Sequence, residues 1–383
     1  MKIVADKAIP YARRFFSTLG DLILLDAGDI TPASIRDADC LVVRSVTRVD
    51  RTLLSGSRAG CIASASSGTD HVDLDYLDSR DIPLFEAKGC NANSVAEYVL
   101  SCLFVLSEQY GMEPEGKTAG IIGCGHVGAR LRYLLRAIGI ETRVYDPFIR
   151  DGHNSYPFRD LDRVLSSDII SLHVPFTTTG EFPTEKMVGR EFLGRLKRDV
   201  IFINAARGGV VNERALIDFA RENRASRLVL DVWDNEPDIN IELLNMTALA
   251  TPHVAGYSAR AKLNATRIVY EQLCAWAGAP AAAAEDMVFP GENMEFNLSG
   301  FDNPIEAVRL AALACYDVRT DCAAFREIEA VDADNRSVFF TSARTGYPYR
   351  REFSDLRVVL PGNNGDIRDK LSGLGFDVGG RTT

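Results

Sequence analysis

The sequence predicts an α/β protein built on parallel sheets, and three observations carry that reading. Short runs rich in Val, Ile and Leu alternate with helical segments along most of the chain. The run Gly123-Cys124-Gly125-His126-Val127-Gly128 stands between one such strand and a helix. Polar residues suited to proton transfer and anion binding follow the ends of later strands, where open parallel sheets hold their ligands.

In chain order, strands are expected at 2–6, 22–26, 40–45, 61–66 and 83–87, with helical stretches such as 11–19 between them. Thr31-Pro32 reads as a helix start, with Thr as cap and Pro in the first turn. The apolar-faced run 93–110 reads as one long helix that could connect two domains. A second array places strands at 118–123, 141–146, 169–175, 200–206, 227–233 and 248–253 and helices over 126–139, 212–222 and 258–277. The small-residue stretch 278–287 reads as a linker. Residues 289–383 then read as a smaller α+β unit, with a helix over 304–315 and strands at 337–343 and 356–362.

Composition narrows the function. A chain of 383 residues suits two or three domains. A formal net charge of −10 argues against binding a nucleic-acid backbone and against a polybasic membrane anchor. No apolar stretch is long enough to span a bilayer. A small anionic substrate stays compatible, because a few local arginines can overrule the global field. The eight cysteines form no CxxC pair and sit mostly in apolar runs. They read as reduced thiols, and with no signal peptide ahead of the first strand a cytoplasmic protein is expected.

The glycine motif has a physical reading. Gly123 makes a tight turn, Gly125 lets the backbone approach a pyrophosphate, and Gly128 lets the helix pack against the sheet. The helix N-terminus offers free N–H groups to phosphate. Asp146 ends the next strand, where a carboxylate accepts from an adenosine ribose and repels a 2′-phosphate. NAD is therefore favoured as cofactor, while Arg143 and Arg150 are the nearby cations that keep NADP open.

Three groups end successive later strands: Arg207 in NAARGGVV, Glu236 in DVWDNEP and His253 in TPHVAGYS. Each suits hydride transfer at a hydroxyl-bearing carbon. A histidine can take the hydroxyl proton, a carboxylate can orient the imidazole, and an arginine can grip a carboxylate through two N–H bonds. Taken singly, each has a bland alternative as a core histidine, a loop acid or a strand-end arginine. Of the other histidines, His71 lies between Asp70 and Asp73 but has no cysteine or second histidine nearby, so a loop role is favoured over a metal site. His173 reads as lining the cofactor, His126 as a helix start and His153 as a loop residue. No metal is expected.

Through GCGHVG, NAARGG, DVWDNEP and HVAGYS the chain resembles the D-isomer-specific 2-hydroxyacid dehydrogenase family over roughly residues 1–285. The resemblance implies a Rossmann-type doubly wound nucleotide domain (93–255) inserted in a flavodoxin-like lid domain (1–92 and 256–285), plus a small α+β C-terminal dimerisation domain (289–383). It also implies Arg207, Glu236 and His253 as the catalytic set, a cleft between domains, and hinges near 88–92 and 255–260. The segments at 42–49, 67–73, 89–99 and 253–258 are similar to family members that act on a phosphorylated hydroxy acid. That likeness implies Ser45, Ser66 and Tyr257 at the substrate, and Asp146, Val174, Ala206, Asp231 and Gly256 at the NAD. The family more often has Thr at Ser66 and Asp at Asn212; the first keeps a hydroxyl, and the second touches local helix capping. A small phosphorylated hydroxy acid is thus the expected partner, within a homodimer formed through the C-terminal domain. Arg44, Arg344, Arg350 and Arg351 are candidates to meet the phosphate. The competing readings are a 3-phosphoglycerate or generic 2-hydroxy-acid dehydrogenase and a non-catalytic NAD sensor.

Overall fold

The structure, a computed structural model, describes residues 1–149, 160–281, 294–301, 303–348, 350–360 and 364–379. Arg150, His153 and positions 282–287 of the expected linker lie outside the described residues. The chain divides into two compact units, Met1–Asn91 with Ser258–Pro290, and Ala92–Tyr257 with Gly291–Thr383.

The first unit carries five parallel strands: β1 (Lys2–Asp6), β2 (Asp21–Leu25), β3 (Cys40–Val43), β4 (Cys61–Ser64) and β5 (Leu84–Glu86). Their order is β2-β1-β3-β4-β5. Strands β3 and β4 are buried along their whole length, as expected of a parallel sheet covered on both faces. The helix Ala259–Ala277 packs against the short helix Ala12–Phe16, where Tyr270 meets Phe15 and Phe16 at ring-centroid distances of 5.0 and 6.2 Å. Its first turn is capped by Ser258, which accepts from the Ala261 N–H at 2.9 Å. The helix expected at Thr31-Pro32 does not form. Thr31 and Ser34 instead bond each other's backbone N–H groups with their hydroxyls and close a single turn. Side-chain bonds of this kind compete with helical ones, and the segment before β3 is too short for a helix to recover the loss.

The second unit holds a six-stranded parallel sheet: β6 (Thr118–Ile122), β7 (Glu141–Tyr145), β8 (Ile169–Leu172), β9 (Ile201–Asn204), β10 (Arg227–Leu230) and β11 (Leu249–Ala250). Its order is β11-β10-β9-β8-β6-β7. The chain enters at β6, steps outward to β7, then returns across β6 to β8. That reversal opens a crevice at the carboxyl ends of β6 and β8. The helix Ala92–Tyr110 is buried from Ser94 to Ser107, so it serves as core on every face.

The same unit includes a three-stranded parallel sheet, β12 (Met294–Asn297), β13 (Leu356–Val359) and β14 (Asp377–Gly379). The helix Gly365–Leu374 packs on β14 and against the helix Pro304–Cys315, while Val318–Arg326 packs on β11 and the helix Arg336–Thr345 joins the same core as Phe325. The strand expected at 337–343 is the helix Arg336–Thr345. A strand would put Val338 and Phe340 on one face, yet Val338 is 65% exposed and Phe340 only 1%. Phe340 packs edge-on against Phe325 at 5.7 Å, so tertiary packing overrides the β preference of a Val-Phe-Phe run.

Arg350 ties this segment to the helix Ala92–Tyr110. Only 6% exposed, it donates from Nη2 to the carbonyls of Ser94 (2.8 Å) and Ala255 (2.7 Å), and its guanidinium lies 4.1 Å from the Tyr316 ring centroid. Arg350→Met would remove both charge-assisted bonds and leave the Ala255 carbonyl with the Ser94 hydroxyl at 3.0 Å. The expected loss is on the order of 3 kcal/mol of unfolding free energy, measured by urea denaturation; an unchanged midpoint would refute the structural role.

Candidate active site

The glycine motif is built as steric necessity. Gly123 takes φ +91°, and a Cβ there would lie 2.7 Å from the His173 carbonyl oxygen. A Cβ on Gly128 would fall 2.0 Å from the Gly123 carbonyl oxygen, so only glycine lets the helix His126–Ala137 start this close to β6. Around Gly125 a Cβ would meet nothing within 4 Å, which leaves an open approach to the helix N-terminus. His126 is exposed and Val127 half-buried beside it.

Asp146 follows β7 and reaches back to this turn. It accepts from the Cys124 N–H at 2.8 Å and from the Phe148 N–H at 3.0 Å. Each oxygen keeps a further lone pair for a hydroxyl donor. His173 and Val174 follow β8. His173 Nε2 meets Ser171 Oγ at 2.8 Å, and burial pushes its imidazole pKa down to about 3, so the ring is neutral. An open helix N-terminus, a glycine cradle and a half-exposed carboxylate fit a dinucleotide's pyrophosphate and ribose.

Around β10 and β11 the chain is organised by Asp231. This carboxylate, 1% exposed, accepts from Thr251 Oγ1 (2.7 Å), Val254 N–H (2.7 Å) and Ala255 N–H (3.1 Å). Burial pushes its carboxyl pKa up; the charge of His253 and the three donors offset only part of that. The Asp231 carbonyl also accepts from the His253 N–H at 2.7 Å, and His253 is held in the left-handed region at φ +61°.

That strained backbone presents His253 to Glu236. Nδ1 lies 2.8 Å from Glu236 Oε2, while Oε1 accepts from the Trp233 N–H at 2.9 Å. Burial acts to raise the Glu236 pKa, but the adjoining His253, the Trp233 N–H and Arg344 outweigh it and hold the carboxyl below the usual range. Glu236 is therefore ionised at neutral pH, which makes Nδ1 the donor and leaves Nε2 for proton exchange.

Arg207 follows β9, with its Nη1 donating to the Ala206 carbonyl at 2.9 Å. Asn204 braces the turn, donating to the Arg207 carbonyl at 3.1 Å and accepting from the Ala206 N–H at 3.1 Å. The backbone of Gly208 presses on the end of β10, since a Cβ would lie 1.8 Å from the Trp233 carbonyl oxygen. The second unit thus joins His253 and Glu236 directly and sets Arg207 on the neighbouring strand end. Gly256 and Tyr257 continue from the His253 loop, both half-buried.

In the first unit, Arg44 donates from Nε to the buried Asp6 at 2.8 Å, and Ser45 is exposed. Ser66 Oγ lies 2.7 Å from Ser64 Oγ, which in turn meets His71 Nε2 at 3.0 Å. His71 is thereby anchored to β4. Lys262 went unnoticed in the sequence: burial, then the charge of Arg44, push its ammonium pKa down, so these two cations share one locus. Thr251, Trp233 and Tyr98 also went unnoticed. Tyr98 OH meets Thr251 Oγ1 at 2.8 Å, and Trp233 Nε1 donates to the Thr251 carbonyl at 3.0 Å. Their partners are distant in sequence, so no local signal marks them.

Residues 103–255 match the family model for the NAD binding domain of D-isomer specific 2-hydroxyacid dehydrogenases. The erythronate-4-phosphate dehydrogenase of Chromohalobacter salexigens is 41% identical over 380 residues, covering 99% of each chain. That of Hahella chejuensis is 40% identical over 381 residues, again covering 99% of each. Among solved structures, the NAD-bound 3-phosphoglycerate dehydrogenase of Entamoeba histolytica is similar with a TM-score of 0.62 and 25% identity, over 72% of this chain and 95% of its own.

Gly208→Ala tests the packing of the Arg207 turn. The methyl group cannot be placed without moving the Trp233 backbone, so the melting temperature is expected to fall by several degrees together with turnover. Unchanged melting and turnover would show that the close approach is not required.

Proposed function

The chain belongs to the D-isomer specific 2-hydroxyacid dehydrogenase family, and from that membership we propose that it oxidises 4-phospho-D-erythronate to 3-hydroxy-2-oxo-4-phosphooxybutanoate. This is an NAD-dependent step on the route to pyridoxal 5′-phosphate. The observation that carries the substrate is full-length similarity to erythronate-4-phosphate dehydrogenases, joined to the 2.8 Å contact of His253 with an ionised Glu236.

In this reading Arg207 holds the substrate carboxylate through paired N–H bonds and so fixes the reacting carbon. His253 Nε2 takes the hydroxyl proton, and Glu236, bonded at Nδ1, stabilises the imidazolium that results. NAD, held by the Gly123–Gly128 turn with Asp146 at the ribose, supplies the hydride acceptor. Val174, Ala206, Asp231 and Gly256 complete the cofactor's surroundings. Ser45 and Ser66 offer hydroxyls to the substrate, and Tyr257 offers a phenol. The enzyme acts in the cytoplasm as a homodimer formed through the C-terminal segment. No described helix is long and apolar enough to cross a membrane.

With NAD and a carbonyl trap, purified protein is expected to reduce NAD on 4-phospho-D-erythronate and far less on 3-phosphoglycerate or D-lactate. His253→Asn is expected to lower kcat/KM by roughly 10²- to 10⁴-fold. Preferred turnover of another acid would discard the substrate but keep the mechanism; NAD binding without turnover of any would favour a sensor. Asp146→Ser should weaken NAD and narrow its advantage over NADP in paired titrations, and an unaltered ratio would remove Asp146 from the ribose site.

A further inference from the structure

We propose that Arg344 receives the phosphate of the substrate, so that a helix beyond the matched nucleotide domain becomes part of the substrate site. The inference rests on the substrate reading given above. Arg344 lies in the last turn of the helix Arg336–Thr345, whereas the family model ends at residue 255. Its Nη1 stands 3.8 Å from Glu236 Oε2, the same oxygen that meets His253 Nδ1. Its guanidinium is 5.9 Å from the Tyr257 ring centroid, and Tyr257 is 6.1 Å from Tyr347. A cation and two phenol rings thus stand beside the proton-transfer pair.

The guanidinium is not committed to its carboxylate neighbour. An arginine bound to a carboxylate closes to roughly 2.8 Å, usually through two N–H groups. Here the nearest approach is 3.8 Å, and the buried Nε–H takes no acceptor among the described residues. A buried donor without an acceptor calls for an explanation, and a bound anion on this guanidinium is one. The Arg344 side chain retains 27% exposure, so a small anion has access.

Chemistry narrows the anion. The substrate carries a carboxylate at one end and a phosphate at the other, and Arg207 can serve only one of them. The phosphate sits two carbons beyond the reacting carbon, so its receptor must lie close to the His253–Glu236 pair. Arg350 Nη2 is held by the Ser94 and Ala255 carbonyls and Arg351 lies near Cys315, although Arg350 Nε and Nη1 and Arg351 Nε also take no acceptor among the described residues. Arg44 is engaged with Asp6 at 2.8 Å. Among the described arginines of the second unit, Arg344 is the one at ion-pair distance from Glu236, and that proximity selects it.

The test compares 4-phospho-D-erythronate with D-erythronate on full-length protein, as a ratio of kcat/KM. In Arg344→Gln the ratio is expected to fall roughly 10- to 100-fold, carried mainly by KM for the phosphorylated acid, with Arg344→Lys in between. Inorganic phosphate, used as a competitive inhibitor, should weaken in parallel. Melting temperature and NAD affinity of both variants check that the fold is kept, and Arg344→Lys carries the comparison if Arg344→Gln does not fold. A wild-type enzyme that prefers the phosphorylated acid, with variants that keep the preference, overturns the role of Arg344 and leaves the substrate reading intact. A change confined to the pH profile overturns it too, leaving Arg344 as a positioner of Glu236. A wild-type enzyme with no preference for the phosphorylated acid overturns both.

Discussion

The buried carboxylate of Asp231 is the constraint on which the loop carrying His253 depends. It has no solvent to satisfy it, so the Thr251 hydroxyl and the Val254 and Ala255 N–H groups must stay where they are. Fixing them fixes the loop after β11, and that loop holds His253 in a left-handed backbone. Such a conformation costs free energy and persists only when its surroundings over-determine it. Trp233 and Tyr98 add two further ties to Thr251, one to its carbonyl and one to its hydroxyl. The imidazole is thus positioned from beneath before any ligand arrives.

A parallel sheet explains why so many chemically different groups meet. Every strand of the six delivers its carboxyl end to one edge: Gly123 after β6, Asp146 after β7, Val174 after β8, Arg207 after β9, Asp231 to Glu236 after β10, and His253 after β11. The central strands β8 and β9 are buried along their whole length, so the loops are where polar atoms can be exposed without cost to the fold. Glycine sets the fine spacing. At Gly208 the approach of two loop backbones is close enough to exclude any side chain, and this brings the Arg207 turn against the end of β10.

Much of this was legible in the sequence because its signals are local. The glycine motif, its strand and its acid lie within one strand–helix–strand unit, and Arg207, Glu236 and His253 stand in the loops that follow β9, β10 and β11. The long helix after residue 92 and the helix Pro304–Cys315 were equally clear from pattern. The misreadings have a common cause. Val338, Phe339 and Phe340 look like a strand until Phe325 and the rest of their core are supplied, and Thr31-Pro32 looks like a cap until Ser34 closes the turn instead. Arg344 was one of several arginines without distinction in the sequence. It became distinct only when folding set it beside Glu236, more than a hundred residues away.

The two acids flanking His253 are driven in opposite directions, and this division suits one imidazole. Asp231 faces backbone and hydroxyl donors in a dry interior, so burial dominates and its carboxyl pKa rises. Glu236 has the imidazole, a backbone N–H and Arg344, which overcome burial and lower its pKa. For folding, the signs oppose as well. The depressed carboxyl of Glu236 stabilises the native state above its unfolded pKa, and that contribution is lost as pH falls through the folded value. The raised carboxyl of Asp231 favours the native state at low pH, and that contribution is lost as pH rises towards its folded value. The two contributions to stability therefore run in opposite senses with pH. Glu236 stays charged to orient the base, and Asp231 serves as an acceptor that holds the loop.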